Sequence, residues 1–309
     1  MPNGNAFNQR WIMEPKRQTV WGIPHATWFF AMGVGGALYL NRFLFGIDLG
    51  RILGMSAADI LGMILISIGG LILIADLGQP LRFWKALRNP RTSWISVGAI
   101  CDFIFMGADV LYVLPSLELG GARPLAALPT GDGTAIGSLL QVVAAIAAFI
   151  VIVYPGLVLA STTAIPFWNT TLIPLQFLAY AFTSALGLAV LAGALGLSAS
   201  DTAPILGPTA LMLSVCLLLL VAHLLNAANA RRTALASAQI LLQGDLKLPF
   251  WAGCLVLGLA APLALVLFAL GTGPSAAGAA LVVAAILTLP SNFLAKYCVI
   301  RAGLYAPFL

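Results

Sequence analysis

Long runs of apolar residues alternate with short polar segments along almost the whole chain. A helix needs ~20 mostly apolar residues to cross the hydrocarbon layer, which is ~30 Å thick. Eight runs reach that length, and we predict a membrane-spanning helix in each. They cover 21–46, 56–76, 93–115, 134–161, 171–197, 203–229, 248–271 and 275–302. Ser56 to Asp59 have the pattern of a helix start, with a capping serine and an acid in the first turn.

Composition supports an all-α integral membrane protein. Hydrophobic residues make up 61% of the 309 positions and charged residues only 8%, whereas a soluble domain is usually about 25% charged. A membrane β-barrel would need alternating strands of about ten residues, and the sequence has none. The net charge of +5 comes from loop cations, so we expect contact with membrane lipid and no nucleic-acid partner.

The cations are distributed unevenly between the two predicted membrane faces. With eight spans the termini share a face, and twelve cations are assigned to it: Arg10, Lys16, Arg17, Arg82, Lys85, Arg88, Arg91, Arg231, Arg232, Lys247, Lys296 and Arg301. The opposite loops receive Arg42, Arg51 and Arg123. The positive-inside rule then predicts cytoplasmic termini and a bacterial inner-membrane protein. A basic face that docks a partner would give the same bias. No cleavable signal precedes the first span, which we expect to be retained.

Cysteine and histidine do not suggest a metal site. The four cysteines all fall within spans and none forms C-x-x-C, so we expect small buried residues rather than iron–sulfur, zinc or disulfide chemistry. They are Cys101, Cys216, Cys254 and Cys298. The only histidines are His25 and His223, which could support at most one haem, and we expect none. His223 is either a hydrogen-bonded packing residue or a proton carrier.

Acidic residues inside spans are more informative, because an ionised carboxylate in lipid is costly and usually marks function. Asp76 ends the second span, and Asp102 and Asp109 lie seven residues apart in the third. That spacing places the latter two on one helix face. We expect proton handling at Asp76 and Asp102; the alternative is pairing with an arginine or hydroxyl of a neighbouring helix.

Several further features fall on the face that carries the termini. Residues 76–96 read DLGQPLRFWKALRNPRTSWIS and hold four cations, with Phe83 and Trp84 among them. Residues 154–169 read YPGLVLASTTAIPFWN and bring Tyr154, Trp168 and Asn169 to the same side. The chain closes with RAGLYAPFL.

These motifs resemble the NrfD/polysulfide-reductase family of membrane subunits, and the resemblance runs from the first span to the C-terminus. It implies residues 21–309 forming an eight-helix domain as two packed four-helix bundles, after a cytoplasmic segment of residues 1–20. It also implies a quinone-reactive anchor with no haem or metal of its own. The partners would be a four-cluster ferredoxin-like iron–sulfur subunit and a molybdopterin catalytic subunit holding Mo or W. The substrate, the direction of reaction and the choice between ubiquinone and menaquinone stay open.

Family roles carry over to particular residues. The quinone-contacting tyrosine falls on Tyr154 and the proton-path acid on Asp76. In the first span, alignment on Gly35 and Gly36 puts Thr27 where some members have histidine. His25 is two residues away, a turn of about 200° on a helix. Either His25 contacts the quinone from a loop, or the contact differs here.

The basic segment gives a docking hypothesis. Its cations would pair with acids of the iron–sulfur subunit. Near the quinone we expect Arg82, Trp168 and Asn169. Phe83 and Trp84 would line the entrance of the quinone site. The alternative is that the cations only follow the positive-inside rule and touch lipid headgroups. A proton or solute transporter without a redox role, and a haem-containing quinol oxidase subunit, remain competing functions.

Overall fold

A computed structural model describes residues 14–197, 202–274 and 276–307. The predicted cation Arg10 and the predicted span start at residue 275 lie outside these ranges. The helices are α1 (Ile23–Phe45), α2 (Ala57–Ala75), α3 (Trp94–Val113), α4 (Ala135–Ala160), α5 (Leu172–Ala194), α6 (Ala203–Asn229), α7 (Arg232–Leu242), α8 (Ala261–Thr272) and α9 (Gly278–Arg301). A π-helical stretch, Pro249–Ala260, leads directly into α8. Two 3₁₀ segments cover Pro80–Arg88 and Leu114–Ser116.

The chain is a multi-pass membrane protein. Within the described residues, seven helices are long and apolar enough to cross a membrane: α2, α3 with its 3₁₀ extension, α4, α5, α6, the Pro249–Thr272 helix and α9. Their bounds follow the predicted spans within a few residues. The 23-residue helix α1 is not among the seven. The count of eight spans therefore stays a prediction.

Local sequence signals explain where several helices begin and end. Ser56, Ser93 and Thr134 are the N-caps of α2, α3 and α4, and each side chain accepts from the backbone N–H three residues later. These oxygens satisfy donors that a helix start otherwise leaves unpaired. Helix α1 ends at Gly46, whose φ of 67° is the left-handed conformation that glycine adopts without a steric penalty.

Helix α1 is the common packing element. It contacts α2, α4, α5 and α9, while α3 packs on α4 and α5 packs on α6 and α9. Its approach to α2 is unusually close, because a Cβ atom at Gly35 would lie 2.7 Å from the carbonyl oxygen of Gly62. Small residues at helix contacts let membrane helices approach in this way. Fifteen residues of α1 are buried, and they include two polar residues near its two ends, His25 and Asn41.

Both ends of the described chain meet on one side of the molecule, which we call the terminal face. Arg17 forms an antiparallel bridge with Leu304, and its guanidinium pairs with Asp245 at 2.7 Å. The other side, the opposite face, carries the hairpin β1 (Arg51–Ile52) and β2 (Met55–Ser56). Its two-residue turn, Leu53 and Gly54, has positive φ at both positions, as a type I′ hairpin requires.

Two cations were wrongly counted with the membrane faces, Lys296 with the terminal face and Arg42 with the opposite loops. Lys296 lies inside α9 and is only 1% exposed. Arg42 lies in the last turn of α1 and pairs with the fully buried Asp59. Neither pairing could be recognised in the sequence, because both cations have apolar neighbours along the chain. The partner of Lys296 lies four residues away in the same helix, and the partner of Arg42 lies in another helix. Each face thereby loses one cation from the count, so the excess of cations on the terminal face is preserved. The four cysteines are buried, as predicted.

Candidate functional site

The half of α1 nearer the terminal face, which we call the terminal half, holds a histidine–carboxylate pair. His25 Nε2 lies 3.2 Å from Asp76 Oδ2, and Asp76 is the C-cap of α2 with its side chain 41% exposed. His25 is the third residue of α1 and 8% exposed, so it belongs to the helix and not to a loop, and its contact with a quinone stays a prediction. The pair joins a buried imidazole to a carboxylate that reaches the terminal face.

Aromatic rings enclose this histidine. The Trp21 ring stacks on His25 with centroids 4.8 Å apart and an interplanar angle of 18°. Trp21 also lies 5.6 Å from the Trp168 ring, and Trp168 Nε1 donates to the carbonyl oxygen of Val299 at 2.8 Å. Trp168 is thereby anchored to α9. The result is an apolar wall around one polar ring, a typical lining for a planar organic ligand.

Tyr154 lies deeper in the same half. It is 0% exposed, its hydroxyl donates to Met32 Sδ at 3.0 Å, and its ring stacks on Trp28 with centroids 5.9 Å apart. A Cβ atom at Gly98 would overlap the Tyr154 ring, so α3 has glycine where the tyrosine packs. Thioether sulfur is a weak acceptor, which leaves the Tyr154 hydroxyl available to a stronger one. Pro155 follows inside a continuous α4.

Two buried side-chain nitrogens in this half of α1 lack hydrogen-bond partners in the described part of the chain: His25 Nδ1 and Trp28 Nε1. Residues 25 and 28 are three apart, so their side chains share one helix face. Buried polar groups are normally satisfied by hydrogen bonds, and unpaired ones point to strain or to a site where a ligand binds. Together they offer one donor and one group able to accept or donate.

The remaining predicted contacts have other surroundings. The Thr27 hydroxyl donates to the carbonyl oxygen of Ile23 in its own helix at 2.9 Å, facing away from the His25 side. Asn169 donates its amide to the carbonyl oxygen of Ala160 and is exposed, so it closes the α4–α5 loop. Asp102 interacts electrostatically with the Tyr154 hydroxyl, and its Oδ1 is buried without a hydrogen-bond partner among described residues.

The basic segment is an exposed rim beside the pair. Its four cations, Arg82, Lys85, Arg88 and Arg91, are exposed, and no salt bridge within the described ranges uses them. Leu81 is 93% exposed. The Arg88 guanidinium carbon lies 5.3 Å from the Trp84 ring centroid. Exposed cations around exposed apolar side chains are typical of an interface rim.

His223 lies elsewhere, among helices α5 to α9. Its Nε2 is 3.0 Å from the carbonyl oxygen of Phe167 and its Nδ1 is 3.2 Å from Gln176 Oε1. Gln176 Nε2 donates to the carbonyl oxygen of Leu219, which turns its oxygen towards the imidazole. The structure therefore does not bring His223 to the His25–Asp76 pair.

Sequence reasoning missed a lysine beside His223. The Lys296 amine donates to Asn292 Oδ1 and lies 4.9 Å from the Phe177 ring centroid. Asn292 in turn donates to Ser184 Oγ at 2.8 Å. Lys296 and His223 line one cavity of about 10 Å³, room for about one water molecule. Trp21 and Trp28 were missed as well. The available signals were Trp28 three residues after His25 on one face of α1, and Trp21 four residues before His25, just ahead of α1.

Comparison with known protein families completes the description. A family model described as "Polysulphide reductase, NrfD" matches residues 11–307, nearly the entire chain. The resemblance inferred from the sequence motifs is confirmed. Among curated proteins, none matches this chain.

Proposed function

The chain belongs to the NrfD family, whose members are membrane subunits of molybdoenzyme complexes, and from that premise we propose that it is a quinone-reactive anchor. It exchanges electrons between a docked iron–sulfur subunit of the four-cluster ferredoxin type and the membrane quinone pool, ubiquinone or menaquinone. The iron–sulfur subunit exchanges electrons with a molybdopterin subunit containing Mo or W. In this proposal the partner subunits carry the redox centres; the described residues form no cluster of three or more His, Cys, Asp or Glu side chains suited to a metal.

The observation that carries this proposal is a pair of nitrogens with no hydrogen-bond partner among the described residues, His25 Nδ1 and Trp28 Nε1, on one buried and aromatic face of α1. A quinone needs an apolar slot and one hydrogen-bonding group for each carbonyl. Trp28 Nε1–H is only a donor and suits a carbonyl oxygen. His25 Nδ1 accepts from a quinol hydroxyl or, when protonated, donates to a quinone carbonyl.

Each residue then has a chemical task. Reduction of a quinone takes up two electrons and two protons, and quinol oxidation releases them. Asp76 accepts the Nε2–H of His25 and fixes its tautomer, so that Nδ1 exchanges the proton with the substrate oxygen. The exposed edge of Asp76 exchanges that proton with water at the terminal face. Tyr154 contacts the far side of the ring once Met32 or Trp28 shifts.

Other predicted residues have supporting roles. Trp168 positions Trp21, while Arg82 and Asn169 lie towards the surface around the entrance. Asp102, close to Tyr154, supplies the second proton. Thr27 reaches a quinone only from the other side of α1, so we assign the main contact to His25. His223 handles protons in the second group of helices, apart from the substrate.

The fold is proposed to have eight spans in two bundles. Helix α1 would be the eighth span, since it packs against helices of both groups and since both described ends lie on the terminal face. One bundle is α1 to α4, and the other is α5, α6, the Pro249–Thr272 helix and α9. The cation bias puts the terminal face in the cytoplasm of a cell whose inner membrane holds the protein.

The experiment is purification of the chain from its native membrane in a gentle detergent, followed by mass spectrometry, metal analysis and a reduced-minus-oxidised spectrum. Copurification of an iron–sulfur subunit and a Mo- or W-containing subunit, without a haem signal, is expected. Quinone should then be reduced or quinol oxidised by the complex. A chain that purifies alone, without iron or quinone, would overturn the proposal and favour a transporter.

A further inference from the structure

A second buried charged cluster occupies the opposite half of the α1–α4 bundle. Arg42 of α1 donates through Nε to Asp59 Oδ1 of α2. Its guanidinium carbon lies 5.0 Å from the Tyr39 ring centroid and 5.2 Å from that of Tyr112. Asp59 is 0% exposed. The guanidinium is therefore sandwiched by aromatic rings and neutralised by one carboxylate.

Asp109 of α3 is close enough to this ion pair to interact electrostatically with Asp59 and Arg42. It is also 0% exposed. Neither of its carboxyl oxygens has a hydrogen-bond partner among the described residues. The side chain thus has two buried acceptors that no described residue satisfies.

The balance of charges around Asp109 indicates which species binds there. Asp59 of α2 and Arg42 and Tyr39 of α1 interact electrostatically with Asp109, and Tyr112 is one turn away on its own helix. Asp48, which accepts from Ser56 Oγ and the Ala58 N–H, interacts electrostatically with Asp59. Helix α4 has no acidic or basic residue. One guanidinium serves both Asp59 and Asp109, and Asp48 adds negative charge beside Asp59, so an ionised Asp109 would leave uncompensated negative charge in the interior. That state is costly in a membrane, and one bound positive charge removes it.

A polar connection leads from the cluster to the opposite face. Tyr112 is one turn from Asp109 on α3, and its hydroxyl donates to Asp132 Oδ1. Asp132 is exposed and lines an open depression of about 580 Å³ together with Arg51, Glu118 and Thr134. The corresponding route from Tyr39 ends inside the protein, since its hydroxyl donates to the carbonyl oxygen of Gln141.

We propose that Asp109 is a proton-binding site, held as a neutral carboxylic acid beside the Arg42–Asp59 ion pair, which exchanges its proton with the opposite face through Tyr112 and Asp132. A sodium ion is the other monovalent candidate, but it favours several oxygen ligands, and the cluster offers few beyond the two carboxylates. This site is separate from the quinone site and does not depend on the proposed redox function.

Infrared difference spectroscopy of the purified full-length chain in lipid, with aspartate labelled by ¹³C at the side-chain carboxyl, tests the assignment. Transfer to ²H₂O should shift a labelled carboxylic-acid C=O band that D109N lacks. D102N, the matched control on the same helix, should keep it. If D109N does not assemble, D109E answers the question, because the band then loses its isotope shift. A spectrum unchanged by D109N or D109E overturns the proposal.

Two further measurements complete the test. Y112F should slow the hydrogen–deuterium exchange of the band several-fold, while Y39F, which alters the other ring around Arg42, should not. Equal exchange in both variants would refute access through Tyr112. Replacing sodium by choline should leave the band unchanged; a carboxylic-acid band that is present only without sodium would show a sodium site and overturn the proton assignment.

Discussion

Helix α1 contributes to two buried polar clusters that differ in how their charges are neutralised. In the terminal half, His25 pairs with Asp76, whose side chain is 41% exposed. In the opposite half, Arg42 pairs with Asp59, whose side chain is 0% exposed. The first pair joins the interior to water, and the second is enclosed by rings and helices.

This difference suits the first pair to proton exchange and makes the second pair important for the stability of the fold. A histidine beside a partly hydrated carboxylate can gain or lose a proton without creating an isolated charge in the interior. A guanidinium stays charged under all ordinary conditions, so removal of Asp59 breaks its ion pair, and Asp109 could compensate the charge only by giving up its own proton. We therefore expect substitutions in the terminal half to affect turnover, and those in the Arg42–Asp59 pair to affect folding.

The largest effect is expected from D59A. Breaking a buried ion pair by removing one partner costs about 3–5 kcal/mol, because the other charge stays buried and unpaired. The free energy of unfolding should fall by that order, measured by denaturation of the purified chain in mixed micelles. The exposed pair Arg123–Glu118, with 3.6 Å between its charged atoms, provides the control, since E118A should cost less than about 1 kcal/mol.

A double replacement tests whether the unpaired guanidinium causes the loss of stability in D59A. R42M combined with D59L removes both charges and keeps apolar volume, so much of the loss in D59A should be recovered. If the double variant is as unstable as D59A, packing around the rings rather than the unpaired guanidinium accounts for the loss.

Turnover at the terminal half should depend on His25. A positioned general acid or base contributes about 10²- to 10⁴-fold, so H25Q should lower quinone turnover by at least about 100-fold while the partner subunits still copurify. T27V is the matched control on the other side of α1 and should change turnover little. A larger loss in T27V than in H25Q would transfer the substrate contact to Thr27.

The terminal and opposite faces should also differ in partner binding. The double variant R88E/R91E places two negative charges on the exposed basic segment, and like charges across an interface cost several kcal/mol. Retention of the iron–sulfur subunit in pull-downs should fall by about one to two orders of magnitude at low salt. R51E/R123E makes the same change on the opposite face and should retain the partner. Retention in both variants would favour the headgroup interpretation.

The spans could be predicted from the sequence because the bilayer imposes a length on every apolar run. The prediction of 134–161 and the observed α4, Ala135–Ala160, differ by one residue at each end. The N-cap at Ser56 was readable for a similar reason, since capping uses residues only three apart.

Contacts between helices could not be read in this way. His25 meets Asp76 and Arg42 meets Asp59 only after α1 and α2 pack at Gly35 and Gly62. The sequence gives the residues but not the rotation of one helix against its neighbour. Lys296 was misassigned because a cation near the end of a span resembles a loop cation until its depth is known.

The smallest effect is expected from W28F, and it tests the chemistry of the terminal half most directly. Phenylalanine keeps a ring against Tyr154 and removes only the Nε1–H, which has no protein partner within the described residues. Loss of one hydrogen bond of about 1 kcal/mol should weaken quinone binding about fivefold. The KM for quinone should rise with little change in kcat, because the proton still passes through His25. A change in kcat alone would place Trp28 outside the quinone contact and leave its indole nitrogen a feature of packing.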